Sequence, residues 1–431
     1  MIIYGCLVIG LIALIMIGMP VGFGAGLISA IGGALIFDGI ADPRVAAMLA
    51  RVSLDKIDNF LLLSIPFFLL AGRLMNTGGI TERLFGFVSV VVRPLKGGVA
   101  HANVLASMLF AGMSGSATAD AAGLGAIEMK AMTSQGYKKE FSAGVTAASS
   151  LLGPIIPPSI ALVAYAVQAE QSVAQLFIAA IVPGFLMAAA DMAYVSYKAH
   201  KHNFPSGPFA GLREIWASFR RAALAIATPG IIMGGIYFGI FTPTEAAAVA
   251  ALYAVILGLF IYREFNLRDL AREIRGTMID TGVIMLIIAF TSAFGDIMIR
   301  AQIPMELAAM LTELTSDPTV LLLLMVVFWL VVGCFMAQTP AILILTPILL
   351  PIAEQYEIDP IFFGIIMTMT LTLGLLTPPV GMVLYVLVRV TGIPFERLAV
   401  ISLPYVFLTT ALILLLVLFP GLVLFPVRLL F

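Results

Sequence analysis

The stretch FAGMSGSATAD, residues 110–120, decides how this chain is read. It puts Gly112, Met113, Ser114 and Gly115 in the middle of a segment, 97–133, that is otherwise largely hydrocarbon. A break in a lipid-exposed helix strands backbone N–H and C=O groups. Non-helical backbone at membrane depth is therefore tolerated only inside protein or beside a wet cavity. Two readings follow. Ser114 is the nucleophile of an intramembrane protease, or the break is the tip of a hairpin that offers bare backbone to an ion.

The surroundings establish the membrane. Of the 431 residues, 61% are hydrophobic and 11% charged, and the mean hydropathy is +1.10. A soluble domain carries roughly 25% charged residues. A formal net charge of −1 gives no basic footprint for nucleic acid. Cys6 and Cys334 are too far apart in sequence for a metal-ligand motif and too few for a disulfide framework; both are expected as small buried side chains. The N-terminal MIIYGCLVIGLIALIMIGMP lacks a basic leader and runs directly into more apolar sequence, so it is expected as the first span.

Apolar runs of about 20 residues place crossings near 2–18, 21–37, 59–76, 140–169, 175–197, 223–241, 244–262, 276–298, 359–388 and 398–425. Two further apolar stretches, 97–133 and 318–353, are interrupted at GMSGSATAD and at GCFMAQTP, and each is expected to enter the membrane and turn back. Arg93, Lys96, Lys130, Lys138 and Lys139 flank the first hairpin, whereas Glu313, Asp317, Glu354, Glu357 and Asp359 flank the second. Basic flanks face the cytoplasm. The first hairpin then opens inward, the second opens outward, and both termini lie outside.

A repeat supports this arrangement. Gly112 and Gly333 lie 221 positions apart, as do Gly153 and Gly374, the prolines 157–158 and 378–379, Phe141 and Phe362, and Pro183 and Pro404. Five crossings per half is an odd number, so the second half is expected to be inverted. The fold class is an all-α polytopic membrane protein with two repeats, 1–199 and 223–431, joined by a cytoplasmic linker at 200–222. Inverted repeats with paired broken helices and a midplane site are the pattern of secondary transporters.

Each half carries a second break inside a long span, SSLLGPIIPPS at 149–159 and TLGLLTPPVG at 372–381. Tandem proline removes backbone donors and frees the carbonyls upstream. Carbonyl and hydroxyl oxygens suit a small alkali cation better than a transition metal, and helix N-termini at the tips suit an anion. The ion-site candidates are Ser114, Gly115, Ser116, Ser149, Ser150 and Gly153 in the first half. In the second half they are Gly333, Gln338, Thr339, Thr370, Gly374 and Thr377. The substrate-site candidates are Ser116, Thr118, Pro157, Pro158, Thr339, Pro378 and Pro379. Small residues also let helices pack closely in lipid, which accounts for any one of these alone; the recurrence of four breaks at one offset favours a site.

The segments FAGMSGSATADAAGLG, TAASSLLGPIIPPS, FTPTEAAAVAALYA, TPAILILTPILLPIAE and GLLTPPVGMVLY occur in that order. Together they resemble the large membrane subunit of tripartite ATP-independent periplasmic (TRAP) transporters, within the ion-transporter superfamily, over essentially the whole chain. The resemblance implies an elevator mechanism, in which hairpins and broken helices slide against a scaffold and carry Na+ with a small organic anion. It implies sodium between each tip and the facing broken helix, at the residues just named. It also implies two partners, a small membrane subunit of about four helices and a periplasmic substrate-binding protein, with the chain in the bacterial inner membrane. Candidate cargoes are C4-dicarboxylates, sialic acids and keto acids. A stand-alone sodium/anion symporter of the same superfamily is the alternative. The family often has an acidic residue after the Phe-Met of the second tip; here that position is Ala337, followed by Gln338.

Several charges invite local readings. Asp120 is expected to cap the second arm or join a packing pair, and Asp191 to pair across a helix interface, with the small subunit as one option. Asp296 and Arg300, four apart, should form an ion pair. Arg73 should snorkel to headgroups, and Thr242 or Thr244 should cap a helix with Glu245 in its first turn. Segments 81–93 and 263–275 are expected along the cytoplasmic interface. The protease reading needs a base beside Ser114. His200 and His202 fall in the linker, and His101 is more than three helical turns away, roughly 20 Å. Neither an H-E-x-x-H nor an aspartate pair is present, so catalysis is not expected, and a passive channel would not need the repeat.

Overall fold

The computed structural model describes residues 2–37 and 39–431, and among them there is no β-strand. Among the described residues, six helices are long and apolar enough to cross a membrane: Phe60–Thr77, Val173–Lys201, Pro243–Ile261, Leu267–Arg300, Pro318–Phe335 and Phe395–Leu418. Shorter apolar helices, among them Val21–Ile36, Gly98–Ser114 and Ile160–Ala169, complete the bundle.

Glycine spacing explains why the flanking helices pack so closely. Gly22, Gly26 and Gly32 on the helix Val21–Ile36 receive Leu286, Phe290 and Ile297 of the helix Leu267–Arg300. A methyl group at each glycine would lie 2.7, 2.9 and 2.6 Å from those side chains. Without a hydrophobic driving force in lipid, such close backbone approach is what holds helices together. Leu267–Arg300 also lies along Pro43–Ile57 and Ser64–Thr77, and Ser64–Thr77 packs on Pro243–Val255.

At each of the two interruptions one helix ends and the next begins, giving two helical hairpins. The first runs Gly98–Ser114, turns at 115–116, and returns through Ala117–Ala122 and Leu124–Ser134. The second runs Pro318–Phe335, turns at 336–337, and returns as one helix, Gln338–Gln355. The broken crossings are Lys139–Ser150 with Ile160–Ala169, and Pro360–Leu373 with Met382–Thr391. The Pro157–Pro158 and Pro378–Pro379 bonds are both cis. Element boundaries recur near the same offset along the chain: Ile80–Val92 matches Ile303–Leu314, and Val173–Lys201 matches Phe395–Leu418.

Several expectations need correcting. The segment 263–275 is not a separate interfacial piece. Asn266 and Asp269 form a capping box, and the helix they start continues for 34 residues to Arg300, about 51 Å at 1.5 Å per residue. That exceeds a hydrocarbon core of about 30 Å, so its charged first turns project beyond it. The run 398–425 is two helices, because Phe419 before Pro420 is held off the helical conformation (φ −126°, ψ 68°) and a new helix starts at Gly421. An amphipathic helix, Pro43–Ile57, capped by Asp42, stands where no element was expected. Its sparse apolar spacing hides it from a search for apolar runs.

The charges also rearrange. Arg73 is ion-paired: its guanidinium meets Glu273 at 3.4 Å and Asp280 at 2.5 Å on the long helix. Ser116, not Asp120, caps the second arm. Asp191 is fully buried within this chain and its carboxylate finds no hydrogen-bond partner, which leaves no exposed face for a subunit contact. Cys6 is exposed rather than buried, and Cys334 is half-buried. Asp296 and Arg300 do pair, at 2.6 Å, and Thr242 caps its helix through a capping box with Glu245.

Candidate functional site

At the first tip, Gly115 takes a left-handed conformation (φ +61°), and a side chain there would lie 2.6 Å from the Pro158 carbonyl. Only glycine makes that turn and that approach without strain. Ser116 then starts the next helix by accepting the Ala119 N–H at 3.4 Å, and its hydroxyl lies 3.1 Å from that of Thr118. The Ser114 hydroxyl is buried and has no hydrogen-bond partner. Gly153, in the facing break, would place a methyl group 2.9 Å from the Ser116 carbonyl. The loop 151–159 is closed by Ser159, whose hydroxyl donates to the Pro154 carbonyl and accepts the Leu162 N–H at 3.2 Å.

The second tip is built differently. Met336 and Ala337 are extended, and Ala337 gives the helix Gln338–Gln355 no side-chain cap. Gly333 lies against Gly374 so closely that a methyl on Gly374 would sit 2.1 Å from the Gly333 carbonyl oxygen. Val380 N–H donates to the Cys334 carbonyl at 3.1 Å. The Gln338 amide donates to Thr372 at 2.7 Å and to the Thr368 carbonyl at 3.3 Å.

Both tips open onto one cavity of about 290 Å³. Gly115–Thr118 form one edge and Ala337–Pro340 the other, with Pro154, Ile160, Ala161, Leu375 and Met382 behind them. Leu69, Ile284 and Ile287, from the flanking helices, complete the lining. Among the sequence candidates, Gly115, Ser116, Thr118, Gln338 and Thr339 line this cavity. Gly153, Gly333 and Gly374 lie at the contacts between tips and breaks, whereas Ser114 packs against Gly72 of the helix Ser64–Thr77, where a methyl group would lie 3.1 Å from its Cα. Four hydroxyls turn back on local groups: Ser150 to the Ala147 carbonyl at 2.8 Å, Thr370 to that of Ile366 at 2.7 Å, Thr377 to that of Gly374 at 3.2 Å, and Ser149 to that of Thr146 at 3.3 Å. Pro157 and Pro158 are buried away from the cavity, and Pro378 and Pro379 are exposed outside it.

A polar network beneath the first tip went unread in the sequence. Ser149 also donates to Asn103 at 2.7 Å, and Asn103 donates to Thr146 at 2.7 Å. Ser107 stands 3.2 Å from Ser149 and 3.3 Å from the Glu128 carboxylate. Asp120 is buried nearby with its carboxylate unpartnered. The legible signal was spacing: Asn103 and Ser107 are four apart, Thr146 and Ser149 three apart, each pair on one helix face.

The donors present are carbonyls and hydroxyls. Among the described residues no group of three or more His, Cys, Asp or Glu could hold a metal. Such oxygens, with an orphaned hydroxyl at Ser114, fit a small alkali cation. They do not fit a serine nucleophile, because His101 turns to Ser196, its Nε2 lying 3.3 Å from that hydroxyl.

Comparison with known proteins bears on this geometry. Residues 8–422 match the family model described as "Tripartite ATP-independent periplasmic transporter, DctM component". The chain is 42% identical to the sialic acid TRAP transporter large permease protein SiaM of Vibrio cholerae, over 91% of this chain and 90% of that one. It is also 42% identical to the C4-dicarboxylate TRAP transporter large permease protein DctM of Pseudomonas aeruginosa, over 84% and 85%. The crystal structure of the Alcanivorax borkumensis YdaH transporter shares the fold, with a TM-score of 0.66 at 18% identity, covering 92% of this chain and 96% of that one.

Proposed function

The chain belongs to the tripartite ATP-independent periplasmic transporter family as a DctM component, a multi-pass membrane permease and not an enzyme, and from that premise we propose that it couples sodium to the import of a small organic anion. The observation that carries this reading is the meeting of two helix breaks, one from each half, at a single cavity. Sodium would be held where each tip meets its facing break, by Ser114 and the carbonyls around Ser116 and Gly153 in the first half. In the second half the carbonyls around Gly333 and Gly374 would hold it. Its charge would neutralise a carboxylate lying between the tips. Ser116, Thr118, Gln338 and Thr339 would orient that carboxylate.

The halves would be inverted repeats, with both termini on the periplasmic side of the inner membrane. The hairpins and broken helices would move together as an elevator against a scaffold that includes Ser64–Thr77 and Leu267–Arg300. The apolar contacts of Leu69, Ile284 and Ile287 suit such sliding, since they impose little directional penalty. Relatives are named as large permease proteins for sialic acid and for C4-dicarboxylate. By the same reading this chain works with a small membrane subunit and a periplasmic binding protein that delivers the cargo.

The test is uptake into liposomes holding this chain and its small subunit, with the binding protein outside. Labelled carboxylates are supplied with and without an inward sodium gradient, to wild type and to Ser114→Ala. Uptake that requires sodium and weakens in the variant supports the site. Uptake indifferent to sodium would sink the coupling and leave protons or facilitated diffusion.

A further inference from the structure

The cavity between the tips is selective in its own right. Among the described residues no Lys, Arg, His, Asp or Glu lines it. Its polar side chains are Ser116, Thr118, Gln338 and Thr339, and three of the four already make hydrogen bonds within the protein. The hydroxyls of Ser116 and Thr118 lie 3.1 Å from each other. The Gln338 amide nitrogen is committed to Thr372 and Thr368. Facing the tips stand Leu69, Ile284 and Ile287, with Ile160, Leu375 and Met382 on the flanks.

We propose that the cargo is a monoanionic carboxylate with a compact apolar body, and that this cavity rejects dicarboxylates and polyhydroxylated sugar acids. This rests on the sodium-coupled anion reading above.

Charge argues for it first. One carboxylate is matched at the tips, by sodium and by the free N–H groups of the helix Gln338–Gln355, which has no side-chain cap. A second carboxylate would be stripped of water against Ile284 and Ile287 with no cation to meet it, and an unpaired buried charge is strongly penalised. Hydroxyls argue the same way. A sugar acid would bring several into a lining with only four polar side chains, and each unmatched group lowers affinity. Size agrees: a cavity of about 290 Å³ has room for a short branched acid. Its apolar body would take the place of water along the Leu69, Ile284 and Ile287 wall, as bodies of ligands do in mostly apolar pockets.

Binding to the chain with its small subunit in lipid nanodiscs tests this without the selectivity of a binding protein. The probes are 4-methyl-2-oxopentanoate, succinate and N-acetylneuraminate, each in sodium and in potassium buffer. In sodium the branched monocarboxylate should bind about tenfold tighter or more than either of the others. Ala337→Arg adds a cation at the cavity edge and should raise succinate affinity at least about threefold, a gain that a misfolded variant could not produce. Succinate or N-acetylneuraminate binding as tightly as the branched acid overturns the inference and leaves sodium coupling standing. No sodium-dependent binding of any of the three overturns both.

Discussion

The two hairpins share a helix–turn–helix layout and differ in almost everything beneath it. Under the first tip lie Asn103, Ser107, Glu128, Thr146 and Ser149, all buried and hydrogen-bonded together. The residues 221 positions on are Leu324, Phe328, Leu349, Met367 and Thr370. Leu324 and Phe328 are 45% and 43% exposed, so the face that is interior in the first hairpin looks outward in the second. The first pair of prolines is buried and the second exposed. The first tip turns on a left-handed glycine with a serine cap, and the second on extended backbone without one. The tip geometry therefore depends on backbone chemistry, on glycine contacts and proline breaks, while the side chains beneath are free to diverge.

The sharpest test of that comparison is at the glycines. Gly374→Ala forces a methyl to 2.1 Å from a carbonyl oxygen in a rigid neighbour, and should cost about 3 kcal/mol and abolish uptake. Gly153→Ala meets Ser116 at 2.8 Å or more and should cost about 1 kcal/mol. Thermal unfolding in detergent, followed by intrinsic fluorescence, measures both; equal losses would mean the two contacts are not the different devices described here.

Next comes the interior. Asn103→Leu leaves Thr146 and Ser149 without their partner and should destabilise by about 2 kcal/mol. Leu324→Ala at the matching position should cost less than about 1 kcal/mol, because that side chain is half-exposed. The same unfolding assay reads both, and a larger loss at Leu324 would break the contrast between an interior and a peripheral hairpin.

Capping gives a smaller, signed effect. Ser116→Ala removes the first tip's cap and should lower stability by about 1 kcal/mol, whereas Ala337→Ser supplies one to the second tip and should raise it by about 0.5 kcal/mol. Melting temperatures that move in the same direction for both variants would contradict the assignment of caps. The smallest stability change belongs to Ser114→Ala. Its hydroxyl has no partner, so the melting temperature should stay within about 1 °C while the sodium KM for uptake rises. A large stability loss with unchanged sodium dependence would make Ser114 structural.

Much of this was legible in advance because it is local. Gly115 and Gly153, the tandem prolines and the polar interruption at Ala337 and Gln338 mark breaks whatever surrounds them. Apolar length marks the spans for the same reason. The longest helix was misread at its start because Arg268, Asp269, Arg272, Glu273 and Arg275 look like a surface loop, although the capping box at Asn266 and Asp269 starts a helix there. Pro43–Ile57 escaped because an amphipathic helix lying against its neighbours carries no long apolar run. Of the candidate site, the tip residues reached the cavity, but the tandem prolines did not. A proline break sets where backbone bends and not which way the bend faces.

From the sequence alone came the membrane, the hairpins and the positions of the four breaks. These follow from hydrocarbon content and from residues that lack a Cβ or an N–H, properties each residue carries by itself. Only the tertiary structure decided that Arg73 meets Asp280 across 207 positions of chain and Ser149 meets Asn103 across 46. The same holds for Ser116 and Gln338, which share one cavity. Those pairings depend on which helix faces close on one another, and that is settled by glycine-sized gaps and by the cost of leaving any buried polar group alone.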